Sequence, residues 1–407
     1  SEERAETLAQ YLEKVQWAVR PVTAFQKNDM LGPELPVDMG QIQDQEVIQA
    51  SKQLKWDKVC GLDAVPAEFW KAIIQTNTPA CRWAVDFCNM CWMERTVPEA
   101  WHKARVATIF KKGDVAQCEN YRPISLLAIG YKLFAIILLA RLKQAGAETR
   151  IWTTQFGFRA GCGTADALFL ARRLIDAAWI AKDDKLVLLA LDWAKAFDSI
   201  SPEGLLQALR RFGVPEGFVQ MVNSIYAGRR FLVRDAGVSS ELHPQAFGIC
   251  QGCPLSPFLF VIVMTVLMTD AKEKLVEELG VQLTPDLLAH ELLYADDTLV
   301  VETEGSVAQQ YMTCIGDVGA QYGLTFNWRK LEALPVRCQA AVKKPDGTSV
   351  TEKDAIVYLG SLLSNDGRIG SELSRRLGQA HADFRTLQRV WSHAAITRPR
   401  KVQIFNA

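Results

Sequence analysis

The chain has 407 residues, 49% of them hydrophobic and 23% charged, a balance that excludes a disordered, collagen-like or low-complexity polypeptide. At roughly 100–200 residues per domain, the length allows two to four compact units. Its 46 Lys and Arg cancel its 46 Asp and Glu, so the sum lacks the basic excess usual in nucleic-acid-binding proteins.

The first 50 residues carry nine acidic against four basic side chains, a net of −5. They begin with the charged run SEERAETLAQYLEKV, which has no apolar signal core and no initiator Met, so a fragment is expected. A helix is predicted over 4–20, and LGPELPVDMGQ (31–41), with two Pro and two Gly, reads as a linker. Helical patterns follow at 42–56 and 66–94. Cys88 and Cys91 fall inside the second, and with no Cys or His pair nearby at zinc spacing they read as buried core thiols.

From 101 to 150 the charge reverses, with nine basic against three acidic residues. This stretch holds a strand-like ARVATIF, the turn KKGD, then NYRPISL and a helix over 126–144. A Gly-rich loop, TTQFGFRAGCGT, leads into a helix over 164–181. Lys185 to Asp192 is an almost continuous apolar run, suited to a strand buried on both faces, and it ends in a carboxylate. A helix over 202–212 stops at Gly213, a suitable C-terminal residue. A hairpin is predicted at 230–247, and the loop GICQGCPLSP opens a long helix, 255–279. The apolar stretch Phe258 to Met268 is about half the length that spans a bilayer and reads as a buried helix. LLAHELLYADDTLVVE (287–302) gives a hairpin with acids at its turn. A helix at 306–322, the strand GLTFN (324–327 in its core), a strand in DAIVYLGSLLS (354–364) and a helical 368–395 complete the chain.

Asp192 ends one strand, and Asp296 and Asp297 sit at a hairpin turn 104 residues later. Acids at strand ends serve as turn residues in many proteins. Three on adjacent strands would instead repel one another unless a cation joined them. Mg²⁺ takes hard oxygen ligands, and a pair of such ions suits in-line phosphoryl displacement.

In order, the chain carries WHKARVATIFKKGD, ENYRPISL, QFGFRAG, LDWAKAFDSI, GICQGCPLSPFLF, LLYADDTLVV, GLTFNWRKLE and YLGSLLS. Tyr294-Ala295-Asp296-Asp297 is a YxDD box. The ordered set resembles the reverse transcriptase domain of LINE-type, non-LTR retrotransposons, from about Val97 to Ser364. The resemblance implies an α+β, right-handed polymerase with fingers, a palm built as a split β-α-β-β-α-β antiparallel sheet with helices on one face, and a partial helical thumb. It implies four segments: an acidic helical segment and linker (1–50), a helical extension (51–96), fingers and palm (97–364), and the start of a basic thumb (365–407). The activity implied is RNA-directed DNA polymerisation, with two Mg²⁺ ions as cofactors, Mn²⁺ being able to substitute. The implied partners are an RNA template, a DNA primer or nicked target DNA, and dNTPs; ten Cys without a dense framework, and no secretory or membrane-spanning run, give the nucleus or cytoplasm as the expected location, without a membrane.

By position, the resemblance makes Asp192, Asp296 and Asp297 the catalytic, metal-binding carboxylates, Asp296 being the surer of the pair. Phe197 corresponds to the bulky residue that faces the nucleotide sugar. Asp198 is expected to cap the following helix or order its turn. Gln251 and Gly252 lie in the loop beside the incoming nucleotide. Lys111 or Lys112, together with Arg122, resemble the fingers cations that hold the triphosphate, and Lys330 a lysine able to protonate pyrophosphate. Tyr358, Leu359 and Gly360 resemble the hairpin that holds the primer end. Two other readings stay open: an RNA-dependent RNA polymerase, against which Phe197 and the YxDD box argue, and a domesticated copy that only binds RNA. The zero net charge also divides by segment. Eight basic against two acidic residues over 368–401 give the thumb-like helix a net of +6, equal to that of 101–150, so a duplex is expected to meet these two regions.

Overall fold

The computed structural model describes residues 2–74, 78–181, 184–283 and 287–406. Helix α1 (Glu2–Tyr11) runs on into a π-helical turn, Leu12–Gln16, and α2 (Asp44–Gln53), α3 (Ala67–Ile74) and α4 (Pro79–Glu94) follow. Between α3 and α4 the predicted helix 66–94 crosses 75–77, which lie outside the described residues. Next come β1 (Lys103–Phe110), β2 (Tyr121–Leu126), α5 (Ile129–Gln144), α6 (Thr164–Ile180), β3 (Leu186–Leu191), α7 (Ala196–Ser199), α8 (Pro202–Phe212) and α9 (Glu216–Tyr226). Then follow β4 (Arg230–Asp235), β5 (Val238–Ser239), β6 (His243–Pro244), α10 (Ser256–Glu273), β7 (Glu291–Tyr294), β8 (Asp297–Glu302) and α11 (Gly305–Gln321). The last elements are β9 (Glu332–Val336), β10 (Thr351–Glu352), β11 (Ala355–Tyr358), β12 (Ser361–Ser364), α12 (Gly370–Thr386), α13 (Gln388–Ser392) and α14 (Arg398–Asn406).

Local chemistry sets many of these boundaries. Helix α8 starts where Ser201 Oγ accepts from the Gly204 amide at 2.9 Å, with Pro202 in its first turn. Such a cap contributes about 1 kcal/mol. The helix stops at Gly213, whose φ of +89° places it in the left-handed region. In α10, every residue from Phe258 to Met268 is buried, as the apolar run demands. Among the described residues, no helix is long and apolar enough to cross a membrane.

The main sheet has the order β10-β9-β3-β8-β7, with β3 antiparallel to both β8 and β9. Alternate residues of β3 feed two cores. Val187, Leu189 and Leu191 face the core built with α10 and α11, while Leu186 and Leu188 face one built with α6 and the β11–β12 hairpin. This two-sided burial accounts for the unbroken apolar run, because neither face of the strand meets water. A second sheet, β2-β1-β4-β5 with β6 beside β4, pairs β1 in parallel with β4.

Several elements depart from the sequence-based expectation. GLTFN contributes only the bridge between Trp193 and Phe326, not a strand. The strand that completes this side of the sheet is β9, EALPV, where Glu332 and Pro335 break any visible alternation. Pro335 is tolerated because β10 pairs only with Glu332 and Ala333 and stops short of it. The segment 354–364 is a hairpin of two strands rather than one. Helices cover one face of the main sheet as expected, but the other face is also covered, by α6 and that hairpin. The Pro/Gly stretch 31–41 is packed down: Leu35 and Val37 are buried, and Arg141, only 1% exposed, donates to the carbonyls of Asp38, Gly40 and Gln41 and to Glu46.

Candidate active site

Two neighbouring strands carry the three acids. The β3–β8 register ends at the pair Leu191–Thr298, so Asp192, one residue further along β3, meets the β7–β8 turn. Tyr294 pairs with Asp297 across that turn, which leaves Ala295 and Asp296 at its tip. Ala295 has φ +57°, a left-handed conformation that costs energy unless its surroundings impose it.

Gln155 imposes it. This side chain is fully buried, and its Oε1 accepts from the amides of Ala295 and Gly157, both at 2.8 Å. Its Nε2 donates to the Ala295 carbonyl at 3.2 Å. The backbone of 154–156 pairs with Leu293 on the adjoining strand. Gly157 is required here, since a Cβ would lie 2.3 Å from the Ala295 nitrogen. The sequence marked QFG as a motif but left Gln155 without a role. The signal, a Gln before Phe-Gly, carries no local periodicity from which to read one.

The electrostatics follow from crowding. Desolvation raises the carboxyl pKa of Asp296, and the charge of Asp192 adds to the rise, while Arg122 and Lys330 oppose it. For Asp297, desolvation within the cleft, then Asp296 and Asp192, push the value up to about 6, against a pull from Lys330. Lys330 Nζ lies 3.2 Å from Asp192 Oδ2. Three neighbouring acids that offer only oxygen donors suit a hard divalent cation. As placed, they share a field rather than a cage: among the described residues, no three His, Cys, Asp or Glu side chains converge tightly enough to hold a metal ion.

Around the acids stands a set of cations. Lys111 has its proton affinity lowered by desolvation and by Arg122, and it also feels the charges of Asp198 and Lys330, so it shares the field of the cleft. Lys195, not singled out in the sequence, belongs to the same group. It is half-buried in left-handed backbone, its pKa lowered by burial and by Arg20, and its Nζ donates to the Tyr11 hydroxyl at 2.8 Å.

The turn after Asp192 forms one side of the cleft. Phe197 is partly exposed, stacks on Phe260 at 4.4 Å and meets Phe158 edge-on at 6.3 Å. Its carbonyl accepts from the Ile249 amide. Asp198 does not cap the following helix, since Ser201 does. It is instead buried, accepting from Gln16, Trp17 and Gln251. The Gln251 carbonyl accepts from the Ser125 amide at 2.9 Å, which fastens this loop to β2. Gly252 has φ +120°, and a Cβ there would lie 2.5 Å from the Ser125 oxygen, so the loop demands glycine twice over.

The flanking cysteines each have a protein donor. Cys250 Sγ accepts from the buried Arg229, and Cys253 Sγ from the Tyr131 hydroxyl. Across the cleft, Leu359 (φ +47°) and Gly360 (φ +76°) turn the β11–β12 hairpin. Tyr358 is buried beneath it, and its hydroxyl donates to the Leu292 carbonyl of β7 at 3.3 Å. The hairpin is fastened to α12 by Glu372, which accepts from the Leu362 amide and from Arg375 and so stays far below the ordinary carboxylate range. Of the residues singled out in the sequence, the structure thus groups Asp192, Asp296, Asp297, Lys111, Arg122 and Lys330, with Phe197, Gln251, Gly252 and Tyr358-Leu359-Gly360 on the flanking turns. Lys112, exposed like Lys111, follows it in the chain.

A family profile described as "Reverse transcriptase (RNA-dependent DNA polymerase)" matches residues 109–363. The "Transposon TX1 uncharacterized 149 kDa protein" of Xenopus laevis is 28% identical over 324 residues, 78% of this chain and 23% of that one. The "Probable RNA-directed DNA polymerase from transposon BS" of Drosophila melanogaster is 26% identical over 427 aligned positions, 99% of this chain and 45% of that one. This chain therefore spans less than half the length of these relatives. Among solved structures, apo telomerase from Candida Tropicalis, truncated from its C-terminal domain, aligns over 71% of this chain and 59% of that one, with a TM-score of 0.45 and 13% identity.

Proposed function

We infer the function from family membership: the chain belongs to the reverse transcriptase (RNA-dependent DNA polymerase) family. We propose that it is the polymerase portion of a LINE-type retrotransposon protein, extending a DNA primer along an RNA template with dNTPs. The observation that carries this reading is the meeting of Asp192 with the Asp296–Asp297 turn at the end of the central strands, within reach of the charges of Arg122 and Lys330.

In this reading Asp192, Asp296 and Asp297 would hold divalent cations, two Mg²⁺, which when bound stabilise charge on the attacking and departing oxygens. The rest is the work of the chain's own groups. Arg122 and Lys111 oppose the triphosphate charge, Arg122 with a planar fork that can grip two oxygens at once. Lys330 holds a proton within 3.2 Å of Asp192 and can pass it to the departing pyrophosphate. Phe197 lies against the sugar of the incoming nucleotide and leaves no room for a 2′-hydroxyl. The Gln251-Gly252 backbone borders the nucleotide, and the turn Tyr358-Leu359-Gly360 supports the primer end. The segment from 97 to 364 acts as fingers and palm, and the basic helices beyond it as the start of a thumb.

The test is extension of oligo(dT) on poly(rA) with dTTP and Mg²⁺, comparing wild type with Asp192→Asn. Wild type should extend. The variant should lose activity by about 10²–10³-fold or more, in line with the removal of a transition-state electrostatic group, while keeping its circular dichroism spectrum. Near-normal extension by the folded variant would overturn the assignment.

A further inference from the structure

Beyond the polymerase reading, on which this inference rests, we propose that the N-terminal segment 12–20 is part of the nucleotide-selecting apparatus. Gln16 and Trp17, acting through the Asp198 carboxylate, are positioning residues for Gln251 and Phe197.

Asp198 is 3% exposed. Its Oδ1 accepts from Trp17 Nε1 at 2.7 Å, and its Oδ2 accepts from Gln16 Nε2 at 2.8 Å and from Gln251 Nε2 at 2.9 Å. All three partners are neutral amide or indole donors. A buried carboxylate with no cation bonded directly to it is a costly device, and an apolar side chain would pack this junction without that cost. What the carboxylate provides is direction. It joins three chain segments at fixed angles, and one of them is the loop bordering the proposed nucleotide position.

The neighbouring backbone leaves no slack for the junction to move. A Cβ on Gly248 would come within 2.8 Å of Asp198 Cα, so the loop before Gln251 lies directly on the Asp198 turn. Ile249 donates to the Phe197 carbonyl at 2.8 Å, and Phe247 donates to the Trp17 carbonyl at 3.1 Å. A shift of Asp198 is therefore passed to Phe197 and Gln251 together.

The N-terminal segment is itself clamped from outside. Trp17 meets Phe231 edge-on at 4.6 Å. His243 of β6 lies between Glu6 and Glu13, at 2.9 and 2.6 Å. Arg20 donates to Ser199 Oγ, and Tyr11 accepts from Lys195. The N-terminal residues thus touch the turn 195–199 at three side chains, Lys195, Asp198 and Ser199.

The test uses the whole chain with two shape-conserving variants. Trp17→Phe removes the indole donor while keeping a ring against Phe231, and Gln16→Leu removes the amide. Each should raise the KM for dNTP by about tenfold, as expected for loss of one buried hydrogen bond. Each should also lower discrimination against ribonucleotides, with kcat within about threefold and template–primer Kd unchanged. The double variant Gln16→Leu/Gln251→Leu should be no worse than Gln251→Leu alone, because both act on one path. Unchanged KM and discrimination in folded variants would overturn the proposal, as would a parallel loss of KM, kcat and duplex binding. If Gln16→Leu fails to fold, Trp17→Phe decides. A wild-type chain that extends no primer would refute the polymerase reading instead, so the two failures are distinct.

Discussion

Replacing Gln155 by Met tests whether the turn carrying Asp296 is imposed from outside. Met has similar volume but can form none of the three bonds that Gln155 makes to Ala295 N, Ala295 O and Gly157 N. The site is fully buried, so water does not replace them readily. Each buried group left unpaired costs about 1–3 kcal/mol, so the three together cost at least about 3 kcal/mol if the structure stays in place. The alternative is that the turn relaxes, letting Ala295 leave its left-handed conformation and carrying Asp296 with it. A displacement of about 1 Å at reacting groups costs on the order of 10²-fold in rate. Urea unfolding and steady-state primer extension separate the two routes. We expect a lower unfolding midpoint, a kcat reduced by at least about tenfold, or both. A variant within about 0.5 kcal/mol and twofold of wild type on both measures would refute the clamp.

Two further predictions concern groups nearby. Burial and the neighbouring acids raise the Asp297 carboxyl to about 6, so the folded state binds a proton more readily than the unfolded chain. Stability should therefore fall as pH rises from about 4 through 6 in chelator. Asp297→Asn should lessen that loss, Asp296 still contributing to it, and gain at most about 1 kcal/mol above pH 6 because solvent screens the group and nothing below pH 4; a variant less stable than wild type at pH 7 would contradict this. Phe197→Val should raise the ribonucleotide-to-deoxynucleotide incorporation ratio by at least about tenfold, the scale of discrimination available to an apolar contact; an unchanged ratio in competition kinetics would remove Phe197 from the sugar-facing role.

The sequence by itself determined the pieces whose signals are local. The apolar run of β3 told of burial on both faces, Ser201 and Gly213 bounded α8, and the acids at the 287–302 hairpin marked its turn. The ordered motifs were specific enough to indicate the family, because eight short patterns in one order do not recur by chance. Tertiary structure decided everything that depends on which distant segments touch. It brought Asp192 to a turn 104 residues away, through a strand register that no local pattern encodes. It replaced GLTFN by β9 as the strand beside β3, since pairing with β3 outweighs the poor strand propensity of Glu332 and Pro335. It also gave Gln155 and Asp198 their places as buried polar junctions. Neither residue breaks or follows a hydrophobic period, and their meaning lies in the partners the fold supplies: for Asp198, an amide and an indole more than 180 positions away. Burial patterns are written along the chain, whereas the donors and acceptors that satisfy a buried polar group come from wherever packing delivers them.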